Sequence, residues 1–341
     1  MTSLVTGASG FVGSHVARML VERGEEVRVL VRPQSNLKAI EDLPLEKVYG
    51  DLRDAESIRR AVGGVRRVFH VAADYRLEAP HPQEIYDANV AGTRNLLEAA
   101  SKARVERIVV TSSVATIAVE RGNALPNEST ETQLEEMIGH YKRSKFLAEK
   151  EALKAARAGI PVVVVNPTTP VGPGDWKPTP TGRIIVDFLN GRMPAYVETG
   201  LNWVPVEDVA AGHWTAAERG QIGERYILGG RNLRLKDVLD ILARISGRPR
   251  TRVRLPHAVA MAAGYADRVF SRILSRPPRI PIEGVRMARH KMFVDCSKAA
   301  EELGFSAGSV ESALERAVNW YRQNGYCVTN NGATGLMGKA A

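Results

Sequence analysis

Tyr141 and Lys145 stand four residues apart in the stretch Tyr141-Lys142-Arg143-Ser144-Lys145, which leads into the helical pattern Phe146-Leu147-Ala148-Glu149. That spacing puts the phenol and the ammonium on one helix face. A free phenol ionises near pH ~10, and a neighbouring cation stabilises its phenolate, so such a pair can move a proton near neutral pH. The same spacing also arises by chance, as a tyrosine packed beside a solvated lysine. What shifts the weighing is the hydroxyl cluster Thr111-Ser112-Ser113, about thirty residues earlier and directly after the apolar run Arg107–Val110. Ser113, at the carboxyl end of such a strand, can hydrogen-bond a substrate oxygen beside the tyrosine.

A second motif supplies the reason to expect redox chemistry. Gly7-Ala8-Ser9-Gly10-Phe11-Val12-Gly13 is a G-x-x-G-x-x-G that follows an apolar run and opens an amphipathic pattern. Glycines there let the backbone turn tightly and approach a pyrophosphate, whose charge is met by main-chain N–H groups at the helix start. The bland alternative is a mere strand-to-helix turn, but the flanking elements favour a dinucleotide site. Nineteen positions after Gly13 stands Arg32, where an acidic residue would bond the ribose hydroxyls of NAD. An arginine suits the extra phosphate of NADP. NADP(H) is therefore the expected cofactor, with NAD(H) as the alternative and Lys38 as a second cation in the loop that follows.

These side chains need a scaffold, and the chain supplies alternation. Short apolar or β-branched runs at Ser3–Val5, Glu26–Val31, Lys47–Val48, Arg67–Val71, Arg107–Thr111 and Val162–Asn166 are separated by stretches of helical spacing. Val12, Val16, Met19 and Leu20 share one helix face; Val90, Thr93, Leu96, Leu97 and Ala100 share another. The pattern predicts an α/β fold with a doubly wound parallel sheet, its strands buried on both faces. Seven prolines and glycines crowd between Pro167 and Pro180, which predicts a long loop serving as hinge or lid.

Composition narrows the class. With 341 residues and 44% hydrophobic content, the chain can bury one large core or two modest ones. Only Cys296 and Cys327 occur, without His spacing for a metal, so neither a disulfide framework nor a zinc site is expected and a reducing cytoplasm fits. No secretory leader and no run of ~20 apolar residues is seen, and residues 329–341 have the composition of a flexible tail. The formal charge is +9, and residues 166–341 carry 24 basic against 16 acidic side chains. Residues 248–291 hold eleven Lys or Arg against Asp267 and Glu283. A solvated face is the plain interpretation. Capture of an anionic substrate, or of an anionic membrane surface if the substrate is a lipid, are the functional ones. Nucleic acid is not expected, because no reading motif accompanies the charge.

The motifs GASGFVGSHVA, YGDLRD, VFHVAADY, NVAGTRNLLEAA, VVTSSVAT, YKRSKFLAE, NPTTPVGPGD and NWVPVEDVA, in this order and spacing, make the chain resemble an extended short-chain dehydrogenase/reductase of the NAD-dependent epimerase/dehydratase family. It is most similar to hopanoid-associated sugar epimerases and more distantly to dihydroflavonol 4-reductases, over nearly the whole length to about Tyr326. The resemblance implies a Rossmann domain of residues 1–165 and 202–230, and a smaller substrate-binding lobe of 166–201 and 231–328. It implies a Ser113-Tyr141-Lys145 triad, Gly7, Ser9, Gly10, Phe11, Val12 and Gly13 around the pyrophosphate, and Asp51 and Leu52 flanking the adenine. Val71, Ala72 and Ala73 would line the adenosine half, Asn89 would lie beside the active site, and Pro167 and Thr168 near the nicotinamide. A homodimer is implied as well.

The chemistry so implied is hydride transfer at a sugar or polyol carbinol, with net ketone or aldehyde reduction as the alternative outcome of the same triad. A non-catalytic dinucleotide sensor would have no need of all three groups. The substrate is expected to be a sugar, a nucleotide sugar or an isoprenoid polyol, met by Tyr75, Ser113, Arg183, Tyr196 and Trp203. The expected location is the cytoplasm, peripheral to the inner membrane if the substrate is a lipid.

Overall fold

The computed structural model describes residues 1–76, 80–117, 124–274 and 282–327; the expected tail, 329–341, lies outside them. The first half alternates β1 (Thr2–Thr6), α1 (Phe11–Glu22), β2 (Glu26–Val31), β3 (Leu45–Tyr49), α2 (Ala55–Val62), β4 (Arg67–His70), α3 (Gln83–Tyr86), α4 (Gly92–Lys102), β5 (Arg107–Thr111), α5 (Gly139–Arg157) and β6 (Val162–Pro167). A π-helical turn, Asp87–Ala91, joins α3 to α4.

The second half contains β7 (Thr169–Val171), α6 (Pro180–Leu189), β8 (Ala195–Val197), β9 (Gly200–Pro205), α7 (Val206–Arg219), β10 (Arg225–Leu228) and β11 (Arg231–Arg234). Then come α8 (Leu235–Ser246), β12 (Val253–Leu255), α9 (His257–Ile273), α10 (Ile282–Met287), α11 (Ser297–Leu303) and α12 (Val310–Gln323).

Seven parallel strands form the main sheet in the order β10-β6-β5-β4-β1-β2-β3. Successive side chains of a strand go to opposite faces, and the core divides accordingly. Val5, Val29 and Phe69 pack with Val16 and Leu20 of α1 and Val209 and Ala216 of α7. Leu4, Ile108 and Val162 pack with Ile58 of α2, Leu96 of α4 and Ala152 of α5 on the other side. Chain order reverses between β1 and β4, and in such sheets the crevice at the strand ends there is where ligands bind. The glycine loop opens at that crevice.

The smaller lobe is built on the sheets β11-β9-β7 and β12-β8, with α6, α8 and α12 closing over a core that contains Trp203, Leu239, Leu242 and Leu314. The helix α11 instead joins the main core through Ala299 and Leu303.

The stretch expected as a hinge or lid is fastened. It contains the strand β7, and Asp175, 2% exposed, accepts hydrogen bonds from the Thr179 backbone N–H (2.8 Å), the Thr179 hydroxyl (2.8 Å) and Tyr321 (2.9 Å). Tyr326 donates to the Trp176 carbonyl at 2.7 Å, and Trp176 packs edge-on against Trp320. The partners come from the C-terminal helix and the turn after it, which is why the local sequence alone suggests a free loop.

Candidate active site

Gly7 follows β1 with φ +74°, and a Cβ there would come within 2.6 Å of the Ala72 nitrogen. That close approach ties the glycine loop to Val71–Ala73, whose backbone is held by Thr6: Val71 N–H donates to its carbonyl and Ala72 N–H to its hydroxyl, both at 3.2 Å. At Gly13 a Cβ would run into the Gly7 carbonyl, so the first turn of α1 can sit tight on the loop. The α1 N-cap is Gly10, and no side chain caps that turn. Phe11 and Val12 thus stand at a bare, positively polarised helix end, which fits a pyrophosphate.

Arg32, exposed, follows β2 at the edge of this crevice. Its guanidinium lies near enough to Asp51 and Asp74 to contribute to their lowered pKa values. Asp51 is held low chiefly by Arg53, which grips it at 2.8 and 2.9 Å. Burial pushes Asp74 up, but the Arg76 fork at 2.6 to 3.0 Å prevails. Both carboxylates are thus engaged by neighbours, while Arg32 faces solvent. Leu52 packs against Gly92 at the start of α4. Lys38 is turned elsewhere, its ammonium 4.1 Å from the centre of the Trp176 ring.

Tyr141 and Lys145 occupy the first turns of α5, and Ser113 caps a short 3-10 turn after β5. The Ser113 side chain is within hydrogen-bonding reach of the Tyr141 hydroxyl. Burial raises the phenol's pKa above its ordinary value, and the contact with Ser113 only partly offsets this. Lys145, 5% exposed, donates to the Thr111 carbonyl at 2.7 Å, and burial lowers its pKa to about 8. The structure therefore places Ser113 beside the phenol, with Lys145 one turn further along α5 and anchored to the carbonyl of Thr111.

Several supports for this group escape a reading of the motifs. Glu149, one turn beyond Lys145, accepts from Thr116 (2.8 Å), Asn166 (2.7 Å) and Arg225 (2.8 Å) in the buried interior. Asn166 also donates to the Ser113 carbonyl at 3.1 Å, so the turn carrying Ser113 is held by β6 and, through Glu149, by β10. Asn89 is a brace rather than an open ligand. Its amide donates to Ser144 and to the Asp74 carbonyl, both at 2.9 Å, and accepts from the Asp74 N–H at 2.7 Å. It lies in the π-helical turn, a distortion that often marks functional sites. Pro167 and Thr168 lie at the end of β6, where Thr168 N–H donates to the Leu228 carbonyl at 3.1 Å. Lys142 is 8% exposed, lies 4.0 Å from the Met292 sulfur, and has its pKa lowered to about 8 by burial.

Of the expected substrate contacts, Tyr75 is half-buried and Arg183 is exposed. Burial raises the Tyr75 pKa, with Asp175 adding to the rise and Arg183 opposing it. Tyr196 and Trp203 are 7% and 0% exposed and belong to the lobe core, because each sits at an inward position of its strand.

Residues 3–229 match the model of the NAD-dependent epimerase/dehydratase family. The chain belongs to that family. A putative dihydroflavonol 4-reductase of Synechocystis is 44% identical over 329 residues, 95% of this chain and 96% of the relative. Sterol demethylase protein B of Methylococcus capsulatus is 37% identical over 95% of this chain and 99% of its own length. The crystal structure of gox2253 superposes with a TM-score of 0.85 at 45% identity, covering 96% of this chain and 99% of that one. As a family member, the chain is an NAD(P)-dependent oxidoreductase of the extended short-chain dehydrogenase/reductase type, with a Rossmann-fold sheet.

Proposed function

We propose that the chain is an NADP(H)-linked reductase of a ketone or aldehyde, with Ser113, Tyr141 and Lys145 as its catalytic residues. The observation that carries this is Arg32, an exposed cation at the end of β2 where family members that hold NAD tightly commonly present a carboxylate. Readily exchanged NADPH suits net reduction, whereas an epimerase returns its hydride and needs no exchange. The reductase names of relatives support the same outcome. The likeness to sterol demethylase protein B supports an isoprenoid or other lipid-like substrate over a sugar.

The glycine loop and the first turn of α1 would hold the pyrophosphate, Arg32 the ribose phosphate, and a bound nicotinamide would supply the hydride. Tyr141, kept a neutral phenol by its raised pKa, gives its proton to the substrate oxygen as negative charge develops there. Ser113 hydrogen-bonds the same oxygen. Lys145 stands one turn along the helix, where its ammonium stabilises the phenolate left behind. The family description favours a second reading, epimerisation at a sugar carbinol, for which the same three side chains would act twice.

Calorimetric titration tests the cofactor assignment. NADPH is expected to bind at least tenfold more tightly than NADH, and Arg32→Asp to narrow or invert that ratio. An NADH preference that the substitution leaves unchanged would remove the basis for the reading.

A further inference from the structure

The helix α9 is turned inside out. A surface helix normally buries its apolar stripe, yet here the exposed side carries Val259, Tyr265, Val269 and Phe270 at 48 to 59% exposure, followed by Leu274 at 63%. Ala258, Ala262 and Ala266 fill the gaps between them and are exposed too. At 100° per residue these positions cover about half the helix circumference without a charge. The inward side consists of Ala260, Gly264 and Ser271, all buried. Seventeen residues make this face about 25 Å long at 1.5 Å per residue.

We infer that α9 lies flat on a bilayer rich in anionic phospholipid. Charge decides the occupant. Arg252, Arg254 and Arg268 are exposed in or close to the helix, and Arg286 and Arg289, on α10 and just after it, are exposed as well. A second copy docked symmetrically would set this basic surface against itself. An anionic headgroup layer meets the arginines while the acyl boundary takes the valines, the tyrosine and the phenylalanine. No helix among the described residues is long and apolar enough to cross a membrane, so this is attachment in the interface plane.

The attachment has a consequence for substrate entry. The Tyr265 hydroxyl accepts from Arg286 of α10 at 3.1 Å, and His257 Nε2 lies 2.8 Å from the Val285 carbonyl. Glu283 of α10 packs against Gly139, two residues before Tyr141. The helix on the lipid surface is thus coupled through α10 to the wall of the proposed reaction centre, an arrangement suited to a substrate dissolved in the membrane. That last step rests on the reductase reading; docking itself does not.

Co-sedimentation of the full chain with vesicles tests it, without cofactor or substrate. Phosphatidylcholine vesicles containing phosphatidylglycerol are expected to pull down the protein, and phosphatidylcholine alone to bind at least tenfold less. The double variant Val269→Asp, Phe270→Asp and the charge reversal Arg252→Glu, Arg268→Glu should each lower binding at least tenfold, with NADPH affinity unchanged as proof of folding. High salt should weaken the wild type. Failure of the wild type to bind anionic vesicles, or undiminished binding by the aspartate variant, would overturn the inference. So would light scattering that shows a wild-type dimer dissolved by the same aspartates, since a second copy would then own the face.

Discussion

At the scale of single residues, the environment of Tyr141 disfavours the phenolate, which suits the acid role proposed for it. Burial lifts its pKa, and the hydrogen bond with Ser113 pulls it back in part. Replacing Tyr141 by Phe should lower turnover by roughly 100 to 10,000-fold while NADPH affinity stays within a few-fold of wild type. Single-turnover kinetics paired with a binding titration would separate the two; a Phe variant that turns over normally would refute the role. The motif residues are legible in sequence because their chemistry depends on local spacing: a glycine needing φ +74° beside β1, and a tyrosine and lysine one turn apart. The substrate contacts are not. Whether Trp203 faces solvent is set by which side of β9 packs against α8 and α12, and no neighbour in sequence reports that.

At the scale of elements, the turn that carries Ser113 depends on an interior salt bridge. Glu149, with a 4% exposed side chain, meets Arg225 across 2.8 Å, and Arg225 also donates to the Glu128 and Thr130 carbonyls. Glu149→Ala would leave that guanidinium, 18% exposed, without the carboxylate it is paired with. A loss of about 3 to 5 kcal/mol is expected in urea unfolding, since breaking one partner of a buried pair costs more than the pair contributes. A loss below ~1 kcal/mol, the range of exposed pairs, would show the network to be dispensable. Glu149 stands in the sequence as one more polar residue of an amphipathic helix, and only β6 and β10 reveal its partners. The inner strands of the first half are visible because doubly buried parallel strands are continuous apolar runs, whereas β3 at the sheet edge, LEKVY, is largely exposed and shows in the sequence only as Lys47–Val48. The fastening of the 167–180 stretch is invisible because Tyr321 and Tyr326 lie about 150 residues away.

At the scale of the whole molecule, buried imidazoles contribute to its tolerance of acid, chief among them His70 at the end of β4 and His213 in α7. Thr93 spends its hydroxyl proton on the Asn89 carbonyl, so His70 Nε2 donates to Thr93 and Nδ1 accepts from Thr6. His213 Nδ1 donates to the Val209 carbonyl and Nε2 accepts from Thr111. Both rings are neutral, with pKa values lowered by burial to about 3 and about 4. The unfolded chain takes these protons near pH ~6.5, so stability is full above that value and falls as the pH drops toward 4, by up to about 1.4 kcal/mol per pH unit for each ring. Urea midpoints between pH 7 and 4.5 should show this slope, and His213→Gln should remove about half of the part that His70 and His213 contribute together; an identical slope in the variant would count against it. The central claim, net reduction with NADPH, is tested most directly by stoichiometry. NADPH consumption at 340 nm and product formation would be measured together across a panel of isoprenoid ketones, aldehydes and nucleotide sugars. One NADPH oxidised per carbonyl reduced is the expected result, and conversion of a nucleotide sugar to its epimer with no net loss of NADPH would contradict it.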